Sequence, residues 1–441
     1  MNQFRSPVLF FLVLIGIFPS GCRQKSDAPA PGDSSAPQST PQAIAKPTPD
    51  DPAEVTALEE NGYQLTKNAD GQVVECSRNT DTDISETLPH LKGLHNVTSL
   101  RLSGPGMTDK GMEVLQNLTT VKRLDLSDSA IGDETLKSVA SLKNLEALFL
   151  RRTGVTDDGL SQISALPKVR AIDLRNSNIS DAGMAHFASL KTLADLQLEK
   201  SKVTDSGTVH LKELPLKSIN LNYCTSISDE TLDILGAIPT LESIQLDYTR
   251  ITDKGMAAVA NLKSLKRLRI RGVDVTGAGL AHIAELKGLQ RLELRDTSLD
   301  DEGLRIISGL PAVNYLDISE CRVATPEGMK HIGKLTKLVY LGFWETKCND
   351  EAMAEFGDLT ALEELDLKAT AVTDESIPTI LKFQKLKDLN LAGTQITDDG
   401  FRQLKELPAL AVLNVANTSI GFDVVDELNE KEGLKVVEFE N

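Results

Sequence analysis

Aromatic residues are scarce in this chain: they make up 4% of the 441 residues, and only one, Trp344, is a tryptophan. Leucine and the other aliphatic residues carry the hydrophobic fraction instead. The length alone would suggest about three domains of ordinary size. Because many copies of one small unit can share a continuous aliphatic core, the composition favours a repeat architecture.

Net positive charge is also lacking, since the formal net charge is −17. Phosphate binding needs a basic surface, so nucleic acid is excluded as a bulk partner. The five cysteines contain no CxxC pair, and their spacings predict neither a disulfide scaffold nor a zinc site. No glycine-rich phosphate-binding motif is present, and the sequence predicts no cofactor and no metal.

Long apolar runs are absent after the N-terminus, where residues 1–21 have the layout of a signal peptide. Arg5 precedes an apolar stretch, Val8 to Phe18, that is too short to span a bilayer. A small-residue site, Ser20-Gly21, then comes directly before Cys22.

This arrangement resembles the lipobox of bacterial lipoproteins, with Pro19 where the motif usually has leucine. The resemblance implies lipidation of Cys22 and a location in the bacterial cell envelope, on the periplasmic or outer-membrane face. An ordinary secreted signal with an incidental cysteine is the alternative. Residues 22–52, rich in proline, alanine and serine, are predicted to be a disordered tether between the lipid anchor and a folded domain.

One unit recurs from Val97 onward, and Asn144 to Leu166 illustrates it with an LxxLxL core at Leu145, Leu148 and Leu150. The central residue of that core, the reference position, recurs at intervals of 23 to 25 residues. It is found at Leu100, Leu124, Leu148, Ile172, Leu196, Ile219, Ile244, Leu268, Leu292, Leu316, Leu341, Leu365, Leu389, Leu413 and Val437.

The unit resembles the leucine-rich repeat. The resemblance implies an α/β solenoid of about 15 repeats of 24 residues, with a parallel sheet on the concave face and helices on the convex face. Within each strand, period-two geometry turns the leucines inward and the residues beside them outward. We expect the repeat domain at residues 97–441 and an N-terminal cap, a helix plus a hairpin and a degenerate first repeat, at 53–96.

Two polar positions accompany each repeat. A Thr-Asp pair or a close relative precedes each helix, and is predicted to accept hydrogen bonds from free helix N–H groups. Five residues after the reference position stands a hydroxyl or thiol, which resembles the cysteine-containing subfamily known from F-box adaptor proteins. These short donors are expected to satisfy the buried turn backbone, which makes Cys224 and Cys321 structural.

The predicted repeat positions do not bring potential catalytic side chains together. His186, His210, His282 and His331 fall in the predicted convex helices, and none lies near a nucleophile on the concave face. The sequence therefore predicts that the protein is not an enzyme.

The register places most of the large aromatic residues outward, in the middle repeats. Trp344 lies one step beyond inward-facing Phe343, and Tyr340 and Gly342 share its side of the strand. Three other tyrosines take outward strand or strand-end positions nearby: Tyr315, Tyr248 and Tyr223. Since Tyr, Trp and Arg dominate binding hot spots, this placement predicts a binding surface rather than core packing.

Five arginines fall in the same region: Arg267, Arg269, Arg271, Arg291 and Arg295. Cross-strand pairing of Arg271 with Asp247 and of Arg269 with Glu293 would account for two of them. That count would leave three arginines available for a partner, so the patch favours a protein or an acidic peptide, with a glycan as a further candidate.

The leading hypothesis is a non-enzymatic, membrane-tethered recognition module that binds a protein or peptide on the concave face. The alternative is a structural envelope or surface scaffold without a single ligand. A third reading, an intracellular adaptor or enzyme accessory, conflicts with the signal sequence.

Overall fold

The computed structural model describes residues 48–439. The predicted signal peptide, Cys22 and the tether up to residue 47 lie outside the described residues. None of the helices within 48–439 is long and apolar enough to cross a lipid bilayer.

A single sheet of 17 strands forms the framework. Strands β1 and β2 form an antiparallel hairpin, and from β2 onward each strand pairs in parallel with the next along the chain. The strands are β1 Gln64–Lys67, β2 Val73–Asn79, β3 Ser99–Ser103, β4 Arg123–Asp125, β5 Ala147–Phe149, β6 Ala171–Asp173, β7 Asp195–Gln197, β8 Ser218–Asn220, β9 Ser243–Gln245, β10 Arg267–Arg269, β11 Arg291–Glu293, β12 Tyr315–Asp317, β13 Tyr340–Gly342, β14 Glu364–Asp366, β15 Asp388–Asn390, β16 Val412–Asn414 and β17 Lys435–Val437.

Short helices return the chain between the parallel strands, and several continue into or are replaced by a 3₁₀ turn. The α-helices are α1 Pro52–Glu60, α2 Asp133–Val139, α3 Asp157–Ile163, α4 Asp181–Met184, α5 Asp205–Thr208, α6 Asp229–Leu235, α7 Asp253–Val259, α8 Gly277–Leu280, α9 Asp301–Ile307, α10 Pro326–Met329, α11 Asp350–Met353, α12 Ile377–Ile380, α13 Asp398–Gln403 and α14 Phe422–Asn429. This is the α/β leucine-rich solenoid that the repeat predicts.

The core lies between the sheet and the helices, and the reference positions from Leu100 to Leu413 are at most 2% exposed. Their strand register is as predicted up to Leu413. At the last strand the prediction of Val437 is wrong, because Leu413 pairs with Val436. The final repeat is one residue shorter than the constant spacing assumes.

The N-terminal residues of the described chain close the first repeat. Helix α1 begins at Pro52, and Asp51 caps it by accepting a hydrogen bond from the Ala53 amide. The predicted tether boundary at residue 52 is too late, because residues 48–52 are already bound to the cap. Asp50 accepts hydrogen bonds from the backbone amides of Val73 and His95, at 2.6 and 2.8 Å.

The hydroxyls at the strand exits hold the turns closed. In eight repeats the hydroxyl donates to the carbonyl oxygen three residues earlier, at 2.6 to 2.8 Å; the donors are Ser129, Thr153, Thr249, Thr297, Thr346, Thr370, Thr394 and Thr418. Cys224 and Cys321 instead donate to a carbonyl of the preceding repeat, Leu198 and Leu294. The predicted role of these short donors in the buried turn is confirmed.

The aspartates of the Thr-Asp turns form different hydrogen bonds from those predicted. Threonine does cap its own helix in several repeats, as when Thr204 accepts from the Ser206 amide. The aspartate, however, reaches the next repeat: Asp181 accepts from both the amide and the hydroxyl of Thr204, at 2.7 and 2.6 Å. The same pair of bonds recurs from Asp133, Asp157, Asp205, Asp229, Asp253, Asp301, Asp350 and Asp374. We call this row of side chains the aspartate ladder.

The residue of the next repeat that packs against each ladder carboxylate is either a glycine or a residue with a hydroxyl group. Where it is glycine, as at Gly207, a Cβ atom would overlap the carboxylate of the preceding repeat. Where it is not, as at Thr231 and Ser376, its hydroxyl donates to that carboxylate at 2.6 and 2.5 Å. Each repeat that carries a ladder aspartate is thereby hydrogen-bonded to the next repeat at the start of its helix.

Candidate binding surface on the concave face

Two tyrosines stack in the middle of the sheet, where the register places residues of adjacent strands side by side. Tyr315 and Tyr340 are paired between β12 and β13, and their rings lie parallel with centroids 4.1 Å apart. The guanidinium of Arg291 lies 3.5 Å from the centroid of Tyr315, on the adjacent strand β11. Burial raises the pKa of Tyr315 to about 12, so both rings act as neutral phenols.

A second tyrosine pair lies at the strand exits of β8 and β9. Tyr223 and Tyr248 stack with centroids 4.9 Å apart, and both have the left-handed backbone of that turn, with φ of 59° and 53°. Tyr248 lies against Gly272 of the next repeat, where a Cβ atom would overlap the ring. Both tyrosines are more than a third exposed, so this pair presents a large aromatic surface to solvent.

Trp344 is half-buried and lies between two cationic side chains. The guanidinium of Arg295 is 4.2 Å from its ring and the Lys368 ammonium is 5.3 Å away. The indole is therefore not packed into the aliphatic core, in agreement with its predicted outward direction. Its Nε1 atom is buried and has no hydrogen-bond acceptor among residues 48–439.

The prediction that pairing would occupy only two of the five arginines is wrong. Asp247 is fully buried and binds both Arg269 and Arg271, with contacts of 2.6 and 2.8 Å. Glu293 is nearly as buried and binds Arg267 and Arg291, at 3.0 and 2.6 Å.

The fifth arginine, Arg295, binds Glu320. Burial alone would raise the pKa of Glu293, but the surrounding arginines outweigh it and hold that pKa below its usual value. We call these eight side chains the arginine network: Asp247, Arg267, Arg269, Arg271, Arg291, Glu293, Arg295 and Glu320. Because each of these arginines already binds an acidic side chain of the protein, none of the five is left unpaired for an acidic peptide.

The sheet face beyond the network is acidic. Glu364 and Asp388 continue the row of Tyr315 and Tyr340 on β14 and β15, and both are exposed. In the neighbouring row, Asp317 and Asp366 flank Gly342 in register. Burial raises the pKa of all four carboxyl groups. This half of the face therefore carries negative charge that the arginine network does not neutralise.

Asp366→Asn is expected to stabilise the protein by on the order of 1 kcal/mol at pH 7. Burial raises the pKa of Asp366 to about 6 from an ordinary value of 3.8, so between about pH 4 and 6 the folded state binds more protons than the unfolded chain. Stability due to this group therefore falls as the pH rises through that window. Asparagine keeps the oxygen that accepts from the Lys368 amide, as Asn390 does for Ala392 in the next repeat.

Urea denaturation of both proteins at pH 4 and pH 7 measures the effect. The gain from asparagine should be present at pH 7 and shrink toward pH 4. A variant that is less stable than the parent at pH 7 would contradict the prediction.

Sequence reasoning brought together the right strands but missed the acidic side chains. All eleven predicted residues lie on β8 to β13 or at their exits, and the two tyrosine pairs are in contact. Glu320, Glu364 and Asp388 were missed because the prediction considered acidic residues only as cross-strand partners of two arginines. The same 24-residue register, applied to acidic residues, would have found them.

Metal-ligand clusters and reactive thiols are two features that would indicate catalysis in residues 48–439. No group of three or more His, Cys, Asp or Glu side chains there could hold a metal ion. The four described cysteines are buried, and burial raises the pKa of Cys76 to about 12 and of Cys321 to about 11. Such thiols are poor nucleophiles at neutral pH.

Comparisons with known proteins match this architecture. The family described as leucine-rich repeat region matches residues 77–323 and 314–441, well over half of the chain. A search of curated proteins finds no match.

Several solved structures are similar in fold. An internalin of Listeria monocytogenes is 19% identical, with 91% of this chain and 100% of that chain covered and a TM-score of 0.51. A leucine-rich repeat protein of Leptospira interrogans is 19% identical, with 81% and 93% covered and a TM-score of 0.55. The ectodomain of the Arabidopsis receptor kinase HAESA, in complex with an IDA peptide hormone, is 14% identical, with 88% and 77% covered and a TM-score of 0.52.

Proposed function

Because this chain belongs to the leucine-rich repeat family, we propose that it is a non-enzymatic recognition module whose concave face binds a protein or peptide. The fold alone does not determine function, but it is one that commonly serves protein–protein recognition. The HAESA ectodomain, which has this fold, is described in complex with a peptide hormone. We further propose that Cys22 is lipidated and tethers the module in the bacterial cell envelope, on the periplasmic or outer-membrane face; the mass of the mature N-terminus tests the lipidation.

The exposed aromatic surface carries the proposal. A scaffold without a ligand would gain nothing from placing tyrosines and the only tryptophan outward, where burial cannot stabilise them fully. The arginine network holds part of this surface in place, since Arg291 lies on Tyr315 and Arg295 lies on Trp344. A surface whose side chains are already fixed loses less entropy on binding.

Trp344→Ala is expected to weaken partner binding at least about tenfold while the circular dichroism spectrum stays that of the parent. Affinity capture with the purified full chain, followed by titration of the captured protein, measures the loss. Phe422→Ala is the matched control, because that ring is 81% exposed at the start of α14, away from the concave strands. Equal affinity of both variants for the captured protein would contradict binding at the tryptophan, and failure to capture any protein would favour a structural scaffold.

A further inference from the structure

The protein already binds one of its own cations between an aromatic ring and a carboxylate. The guanidinium of Arg291 lies 3.5 Å from the Tyr315 ring centroid, and its Nε atom donates to Glu293 at 2.6 Å. Cation–π attraction and an ion pair thus act on the same group. On the concave face, an aromatic ring and a carboxylate together are therefore able to bind a basic side chain.

An aromatic ring and a carboxylate also lie side by side on the other side of the tyrosine stack. Tyr340 packs on Tyr315 through one face, and the register places Glu364 beside it and Asp388 one strand further. The order across the sheet is therefore arginine, tyrosine, tyrosine, glutamate, aspartate. The stack has a cation at the Tyr315 end and only carboxylates at the Tyr340 end.

The two cationic side chains that act on Glu364, Lys387 and Arg291, form their ion pairs with other carboxylates. Lys387 donates to Glu363 at 2.6 Å, and Arg291 is bound to Glu293. Neither Glu364 nor Asp388 forms a salt bridge with any residue of the described range. Desolvation by neighbouring side chains raises the pKa of both carboxyl groups. For Glu364 the negative charge of Asp388 raises the pKa further, and the smaller opposing effects of Arg291 and Lys387 do not offset it. A cation from another molecule would relieve this repulsion.

A second unsatisfied polar group, the tryptophan indole nitrogen, lies in the same repeat as Tyr340. Trp344 lies just beyond the end of β13, the strand that carries Tyr340, and its Nε1–H has no acceptor in residues 48–439. A buried donor without an acceptor costs about 1–3 kcal/mol, which a backbone carbonyl of a bound segment would recover only if the indole turned to expose this nitrogen.

Resting on the function proposed above, we infer that the partner presents a basic segment whose lysine or arginine side chain docks between Tyr340, Glu364 and Asp388. The occupant is thus the reverse of the acidic peptide expected from the sequence. Charge complementarity carries the choice: each arginine of this face already binds a carboxylate, whereas Glu364 and Asp388 form no salt bridge within residues 48–439.

Two synthetic peptides test the inference: acetylated and amidated (Lys-Gly)₄ and its counterpart (Gln-Gly)₄. Isothermal titration calorimetry of the full chain at low salt should detect the lysine peptide and not the glutamine peptide. The double variant Glu364→Gln/Asp388→Asn should bind the lysine peptide at least about tenfold more weakly.

A charge-matched control separates a site from bulk attraction to an acidic protein. Glu285→Gln/Asp358→Asn also removes two negative charges, at exposed positions on the helix side, and should leave the affinity within about twofold. Equal weakening in the two double variants, or equal binding of the two peptides, would overturn the inference.

The outcome is distinguishable from failure of the proposed function. If Trp344→Ala weakens binding of the captured protein but Glu364→Gln/Asp388→Asn does not, only the basic chemistry of the partner is wrong. If no protein is captured, the recognition function itself fails, whatever the lysine peptide does.

Discussion

Asp247→Ala is expected to lower the free energy of unfolding by about 3–5 kcal/mol, because it removes one partner from a buried ion network. The Asp247 side chain is 0% exposed and accepts from Arg269 Nε, Arg271 Nε and the Arg271 amide, at 2.6, 2.8 and 3.0 Å. Both arginines are about one-fifth exposed, so alanine would leave two largely buried cations without their closest anion.

Urea denaturation followed by circular dichroism measures this loss. Asp125→Ala is the comparison, because Asp125 is an outward residue at the end of β4, two positions earlier in its repeat than Asp247, and meets Arg101 only at 3.7 Å, where the arginine is 62% exposed. That variant should lose about 1 kcal/mol or less. A loss at Asp247 no larger than at Asp125 would show that the buried network does not stabilise the fold. Arg271→Glu would place a second acid beside Asp247 and would therefore test the same network.

Gly207→Ala is expected to lower the free energy of unfolding by about 2–4 kcal/mol, although alanine is the better helix former by about 1 kcal/mol. The new Cβ would overlap the carboxylate of Asp181. That carboxylate must then move away from the amide and hydroxyl of Thr204, which it now accepts from at 2.7 and 2.6 Å. Overpacking and two lost hydrogen bonds together exceed the gain in helix propensity.

A double variant isolates the cause. In Asp181→Ala/Gly207→Ala the overlapping carboxylate is absent, so the second substitution should cost less than about 1 kcal/mol beyond Asp181→Ala alone. The chain contains a natural parallel at Ala352, where the preceding repeat has Pro326 in place of the ladder aspartate. Equal costs for Gly207→Ala in both backgrounds would show that the ladder does not determine which residue is tolerated there.

The ladder and the network have different consequences for function. The aspartate ladder joins successive repeats at the helix starts, outside the strands that carry the aromatic residues. The arginine network lies on the concave face itself and touches the aromatic rings through Arg291 and Arg295. Loss of the ladder should therefore reduce stability alone, whereas loss of the network should reduce both stability and the order of the candidate binding surface.

The sequence was sufficient to predict which side chains face outward, because the strand alternates with period two and the repeat length is nearly constant. Trp344, Tyr340 and Tyr315 were placed correctly on that basis. Where the spacing changes, the prediction failed, as at Val437, because no periodic signal marks a repeat that is one residue short.

Partners of charged side chains could not be predicted in the same way. Arg269 was expected beside Glu293, but its shorter contact is with Asp247 of the preceding repeat, at 2.6 Å against 3.7 Å. Arginine side chains are long enough to reach either neighbouring strand, so strand register limits the possible partners without choosing among them.

The sequence by itself determined the solenoid, its register and the outward placement of the aromatic residues, since all three follow from a local pattern repeated every two dozen residues. Only the tertiary structure decided that every arginine of the network binds a carboxylate, that the aspartates bind the next repeat and that Glu364 and Asp388 form no salt bridge within residues 48–439. Those outcomes depend on which neighbouring strand or repeat each flexible charged side chain binds. The repeat spacing in the sequence carries no information about that choice.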